Sequence, residues 1–496
     1  MTTSIASIHQ GILGLPGATP QSKALTEQLL EEDRQNHHCL YGRVGFHNHL
    51  SHHLLAAYDL GAPPKLLQAI FDSEKNGLDP LHTVDRKEKK VEEQHVVMDK
   101  TNWQKYVGDE KFYATYLRFF TEEVKRLGTG QFLEEYVFAP AANGNGANML
   151  LRFISGAVHP TIQTGYGVEF GSDAMVAQAI AQAAIHNHEF TPELYNLSAQ
   201  PTSHANQAVT ADGHRQPSRG SSLLEIFRQV YDSPILKPVM PYDSDALLSK
   251  RRQDALKDGR PEEIARLAEL WIVDTSKGQA GLDEKVEELL WVTTLLLVAT
   301  GKKGRKPRLD FFLMHLLNVS IFVPSLLKVI PTTESKVTLV RSLLPVILMY
   351  TILRGRPRID AELMMTYTVN PTPPTTPSKP DSSALGDPTK AEFVDPWPAI
   401  VSSAQYAPDA HTVKAIRTLY YAAWKYGTTP AGGAVGAFRE DGSETHVGIG
   451  RVDGTIFTRA AGVVMDTLGW VNHGQKEGKW DRSALGWDDA WKEPNN

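Results

Sequence analysis

Four histidines fall within seven residues, at His47, His49, His52 and His53, in the run Phe46-His47-Asn48-His49-Leu50-Ser51-His52-His53-Leu54-Leu55, which continues into an apolar helical pattern. Imidazole gains and loses its proton nearest to neutral pH and is also the commonest metal ligand, so the cluster suits a general base or a metal site. On a helix advancing about 100° per residue, Phe46, Leu50, Leu54 and Ala57 share the buried face. His47 and His53 then lie on its shoulders, His49 at its edge, and His52 points away. This reading puts His49 and His53 foremost as a base and its partner, His52 below them, and His47 in reserve. The opposing reading is a helix whose histidines are solvated or hydrogen-bonded in a core. His49 and His53 are also spaced i, i+4, so two imidazoles could share an ion, with His186 or His159 and Glu169 completing the shell.

Other candidates are spread along the chain. His159 precedes Pro160, which starts a turn or a new helix and holds the imidazole at an element boundary. Tyr166 and Glu169 stand i, i+3 on the following helix, where phenol and carboxylate can face one pocket. The plainer readings are a core tyrosine and a structural partner for an arginine such as Arg152. His315 lies in an otherwise apolar helix, where an unpaired imidazole is costly, so it either hydrogen-bonds structurally or lines a cavity. His411 opens a helix carrying Lys414 and Arg417, cations that could hold a phenolate or a carboxylate, and Tyr420, Tyr421 and Trp424, rings that could stack on a flat polycyclic ring. For Lys414 the reading preferred is a solvated basic face. His37, His38, His186 and His188 carry no ranked role.

Four blocks in order resemble the questin oxidase-like family of fungal polyketide enzymes. They are the run from His47 to Ala62 (HNHLSHHLLAAYDLGA), the run from Gly156 to Phe170 (GAVHPTIQTGYGVEF), Phe311-Phe312-Leu313-Met314-His315, and His411-Thr412-Val413-Lys414-Ala415-Ile416-Arg417. The resemblance implies an oxygenase that opens a reduced hydroxyanthraquinone by a Baeyer-Villiger-type reaction. Its co-substrate would be O2, with no tightly bound flavin or metal, and NADPH would serve only to reduce the substrate, through a separate anthraquinone reductase. Histidines would deprotonate a substrate phenol, the anion would supply electrons to dioxygen, and the hydroperoxide would insert oxygen beside a ring carbonyl. The expected catalytic set is His49, His53, His52, His159, Tyr166 and Glu169, with His47, His315, His411 and Phe46 against substrate. Two alternatives stay open: a histidine-metal oxygenase or hydrolase of an aromatic polyketide, and a non-catalytic helical binding protein.

Motif chemistry removes several other classes. Gly144-Asn145-Gly146 and Gly448-Ile449-Gly450 lack the strand, third glycine and helix that a dinucleotide site requires. No G-x-S-x-G elbow is present, and Glu92 with His95 is an isolated E-x-x-H pair in a charged segment, which argues against a di-iron bundle. A net charge of −6 gives no electrostatic case for nucleic acid or an anionic membrane as a partner. Cys39 is the only cysteine, so an intrachain disulfide and a cysteine-based zinc site are excluded, and it is expected to be a small buried hydrophobe. The N-terminal run has no basic stretch followed by a sustained apolar core, which predicts a cytoplasmic protein. The apolar stretches 311–330 and 336–353 contain His315, Asn318, Lys328 and Arg341, and read as buried core helices rather than membrane spans.

The chain can bury a large core, with 41% hydrophobic residues in 496. Helical periodicity dominates, which predicts a mainly α fold: a single large helical domain over 1–496 with long polar and Pro-rich surface loops. Expected helices include 46–60, 64–74, 109–127, 166–186, 309–323, 334–353 and 409–426. Polar loops are expected at 78–100 and 198–220, a Pro/Thr-rich surface loop at 369–398, and a short β-hairpin in the Gly-rich run 427–454.

Overall fold

Apolar positions recurring every three to four residues become helices almost throughout the computed structural model, which describes residues 7–189, 213–238, 241–375 and 380–492, together with 194, 206 and 209. The fold is mainly α, as expected, with only two small antiparallel strand pairs among the described residues. Part of the polar run 198–220 and residues 376–379 of the Pro-rich run lie outside the described residues. The backbone groups into two compact units, 1–192 with 322–338, and 193–321 with 339–496.

In the first unit, α1 (Pro20–Asn36) starts where Thr19 and Ser22 bond each other's backbone reciprocally and Pro20 fills the first turn. The hairpin of β1 (Leu40–Tyr41) and β2 (Phe46–His47) follows, and then α2 (Leu50–Asp59), all ten of whose residues are buried. The helix expected over 46–60 is therefore shorter. Asn48 Oδ1 accepts from the Leu50 amide at 2.9 Å in a turn that leads into the helix and leaves Phe46 and His47 in a strand. Pro63 and Pro64 separate α2 from α3 (Pro64–Glu74), which occupies the range predicted. A second hairpin, β3 (Thr83–Asp85) with β4 (Lys90–Val91), precedes α4 (Tyr113–Leu127).

Next come the short α5 (Met149–Phe153), α6 (His159–Glu169) and α7 (Asp173–Ile185). The single helix expected over 166–186 is thus two. Gly171 sits at φ +68°, and the Ser172 side chain accepts from the Met175 amide to start α7 afresh. Packing of α7 on α4 and α6 forms the centre of this unit, and α6 also rests on the helix Val323–Val329. Gly165 permits that second contact, since a Cβ there would meet the Phe322 side chain at 2.3 Å.

The second unit is built around α8 (Gln279–Val298), α9 (Phe311–Ser320), α10 (Ala410–Tyr426) and α11 (Ile456–Leu468), with α9 in contact with both α8 and α10. Asp310 caps α9 by accepting from the Phe312 and Leu313 amides, and its second oxygen accepts from Arg354 Nε at 2.7 Å. The hairpin expected within 427–454 is replaced by a single bridge, Phe438 to Glu444. Glu444 accepts from the amides of Gly448 and Gly450, which turns the chain into the 3-10 segment Ile449–Arg451 instead of a second strand. Cys39 is buried. Among the described residues one helix, Thr333–Leu353, is long and apolar enough by itself to cross a membrane, and most of that apolar stretch is buried.

Candidate active site

The first unit gathers five imidazoles from four elements. His47 is presented by β2, His49 precedes α2, His52 lies in the first turn of α2, His159 opens α6, and His186 follows the last turn of α7. His49 Nε2 and His159 Nε2 are 2.9 Å apart, and His47 Nε2 and His186 Nε2 are 2.8 Å apart. The two pairs join through the His47 and His159 rings, which stack at 3.8 Å with 6° between their planes. His52 is buried, with its ring 5.7 Å from His49 and stacked on Tyr166 at 5.1 Å. A hydrogen bond from Ser51 Oγ to Gln163 Oε1 at 3.2 Å ties α2 to α6 beside this group.

Donor and acceptor roles follow from the backbone. His159 Nδ1 lies 2.5 Å from the carbonyl oxygen of Gly156, which can only accept, so Nδ1 carries the proton. In the neutral ring Nε2 is then the basic nitrogen, and the Nε2–H of His49 donates to it. The His49–His159 pair thus holds one proton between two basic nitrogens. Burial drives the His186 imidazole down to about 4, and the nearby guanidinium of Arg152, then that of Arg86, push the same way.

The loop that delivers His159 is strained. Gly156, Ala157 and Val158 all have left-handed backbones, at φ +61°, +51° and +59°. Such a conformation is costly for a β-branched residue and persists only where surrounding structure enforces it, often at functional sites. Gly156 is required twice over: its φ is positive, and a Cβ there would meet His186 Cε1 at 2.7 Å and His47 Nε2 at 3.0 Å. Gly156→Ala is expected to displace the stack and lower turnover on the order of 10²-fold. Steady-state rates alongside circular dichroism of the folded variant check this.

Other candidates from the sequence fall elsewhere. His53 turns to α3, where its Nδ1 lies 2.5 Å from Glu74 Oε1. His52 takes the place beside Tyr166, the reverse of the helical-wheel expectation. A helix buried on every side has no single inward face, so the wheel cannot choose between neighbouring histidines. Glu74→Gln is expected to cost about 1–3 kcal/mol of stability, by weakening the partner of a buried imidazole, and to leave turnover within a few-fold. Urea denaturation and rate measurements on one preparation test both parts. Glu169 Oε1 accepts from the Ile12 amide at 2.7 Å, anchoring the N-terminal segment, and Arg152 binds backbone carbonyls instead of this carboxylate. Tyr166 is buried, packing on Phe322 at 4.5 Å as well as on His52. Phe46 is 46% exposed, its ring 5.9 Å from Tyr41. His186 and Arg152, unranked from sequence, join the group through long-range folding that no local spacing signals.

In the second unit, α9 and α10 bring His315 and His411 together, ring centroids 5.0 Å apart, with Phe311 4.9 Å from the first and 5.0 Å from the second. His315 Nδ1 donates to the Phe311 carbonyl at 2.8 Å. His411 Nδ1 lies 2.6 Å from Asp409 Oδ1, which fixes its tautomer. Burial holds the His411 imidazole down at about 4, with Lys414 adding to the effect and the Asp409 contact opposing it. Lys414 and Arg417 are buried, so the solvated basic face expected of this helix is not found.

A family model described as questin oxidase-like matches residues 46–419. A Baeyer-Villiger oxidase of Paecilomyces divaricatus is 27% identical over 414 residues, 82% of this chain and 80% of its own. A Baeyer-Villiger oxidase of Emericella nidulans is 28% identical over 356 residues, covering 70% and 74%. A questin oxidase of Aspergillus terreus is 24% identical over 320 residues, covering 64% and 66%. The match takes in the second hairpin, the whole histidine stack, His315 and His411, and on it the chain belongs to the questin oxidase-like family, as an oxidoreductase.

Proposed function

We propose that this protein is a Baeyer-Villiger-type monooxygenase acting on the reduced form of a hydroxyanthraquinone in fungal aromatic polyketide biosynthesis, with the His49–His159 pair as its base. The observation that carries this reading is the 2.9 Å Nε2 to Nε2 contact, with the His159 tautomer set by Gly156. Such a pair accepts a phenolic proton and spreads the charge over two rings, which favours proton uptake in a buried site and leaves a cation beside the new oxyanion. The hydroquinone anion supplies two electrons to O2, forming a hydroperoxide on the ring. Its O–O bond breaks as a ring carbon migrates to oxygen, giving a lactone whose ester bond water then hydrolyses to open the ring. The departing hydroxide takes the stored proton and leaves as water. His52 and Tyr166 line the same group, and His47 and His186 brace His159 from its other face. The family relationship supports an anthraquinone or related polyketide as substrate.

In this reading no flavin or metal takes part, and NADPH serves a separate reductase that generates the hydroquinone. A histidine-bound metal is the second reading, because the paired Nε2 atoms face each other. Two nitrogens bound tetrahedrally at 2.0–2.1 Å lie roughly 3.3 Å apart, so the 2.9 Å spacing suits a shared proton better. Oxygen uptake by chelator-treated protein with a chemically reduced hydroxyanthraquinone tests the choice. Uptake coupled to ring-opened product without added metal or flavin supports the proposal. Uptake only after metal is restored supports the second reading.

A further inference from the structure

Arg152, near the end of α5, is only 6% exposed. Its guanidinium donates from Nε to the Ala147 carbonyl at 2.6 Å and from Nη1 to the carbonyl of His186. Among the described residues no carboxylate forms an ion pair with it. Arginine cannot shed its charge, and a buried cation compensated only by carbonyl dipoles is costly to keep. The charge has a definite address. It grips the backbone of the histidine whose Nε2 meets His47 at 2.8 Å, and His47 stacks on His159. The groups that bear on His186 are His47 from β2, Arg152 from α5 and Arg86 from the β3–β4 hairpin, with His159 behind His47. Of these cations Arg86 is neutralised, by Glu110 at 2.5 Å. Arg152 therefore brings to His186 a cation that no carboxylate pairs among the described residues.

We infer that Arg152 makes the histidine stack an oxyanion site: it positions His186 through its carbonyl and supplies a fixed cation, so that the stack takes its ligand as a phenolate. The ligand class rests on the function proposed above, and the positioning role of Arg152 does not. A buried positive charge near the ring lowers the affinity of His186 for its own proton and raises the affinity of the site for an anionic oxygen.

Alizarin, a hydroxyanthraquinone whose absorbance changes on ionisation, serves as the probe. Bound to the wild-type protein, its phenol is expected to ionise at lower pH than in solution. In Arg152→Gln that midpoint should rise by about one pH unit, roughly a tenfold change in proton affinity, and the His186 ring resonance should titrate upward by a similar amount. Arg152→Lys keeps the charge and should keep the dye midpoint low. A folded Arg152→Gln protein in which dye and His186 titrate as in wild type overturns the inference. So does an Arg152→Lys protein whose bound dye titrates like the free dye, should the glutamine variant not fold. Wild-type protein that binds no alizarin at all overturns the phenolate ligand alone, and the His186 resonance then judges the positioning role independently.

Discussion

His159→Ala is expected to lower turnover by on the order of 10²–10⁴-fold, the range for loss of a positioned general base, with a smaller effect on substrate affinity. The residue combines three properties that no other histidine of the first unit has together. Its tautomer is fixed by a main-chain carbonyl, its Nε2 meets a second imidazole, and its backbone follows three left-handed residues. His49→Ala removes the proton-sharing partner and should fall in the same range. The double variant should be little worse than either single one, because residues acting as a unit are not additive. His53→Ala should cost far less in rate, since its ring is bonded to Glu74. Equal losses for His53 and His159 would contradict the division of roles drawn from the structure.

Acid is expected to destabilise the fold steeply before most carboxylates titrate. His38, His186, His411 and His446 are each held down at about 4 by burial, against an ordinary value near 6.5. Between those values the unfolded chain binds protons that the folded chain refuses, so stability rises with pH in that window. This contribution is fully present above pH 6.5 and drains away as pH falls from there toward 4. Going from pH 7 to pH 5 costs on the order of 2 kcal/mol per histidine, several kcal/mol in all. Urea denaturation at the two pH values measures it. A midpoint that stays constant would mean that these histidines are not buried in the neutral form.

The chemistry-bearing segment was legible in the sequence, while its geometry was only partly so. The run 47–53 identifies itself by composition, and His159 by its place before Pro160. The helix over 64–74 and the break at Pro63-Pro64 were equally plain, because proline stops and starts are local events. The orientation of the cluster differs from the helical-wheel expectation for a local reason too. Asn48 favours a turn in which its side chain bonds the backbone two residues on, and that turn separates the strand holding His47 from the helix that starts at Leu50. The choice between His52 and His53 was out of reach, since it depends on Tyr166 and Glu74 arriving on opposite sides of a helix buried all round. His186 was equally hidden: its role comes from a contact with His47 across 139 residues of sequence. The break between α6 and α7 carried a signal in Gly171-Ser172, outweighed by the continuous apolar periodicity on either side.

The most direct test of the central claim is to supply reduced hydroxyanthraquinone and isotopically heavy dioxygen to chelator-treated protein and weigh the product. One heavy oxygen atom is expected in the ring-opened product, formed without flavin or metal and lost in His159→Ala. Product carrying no heavy oxygen, or labelled product formed equally by His159→Ala, would contradict it.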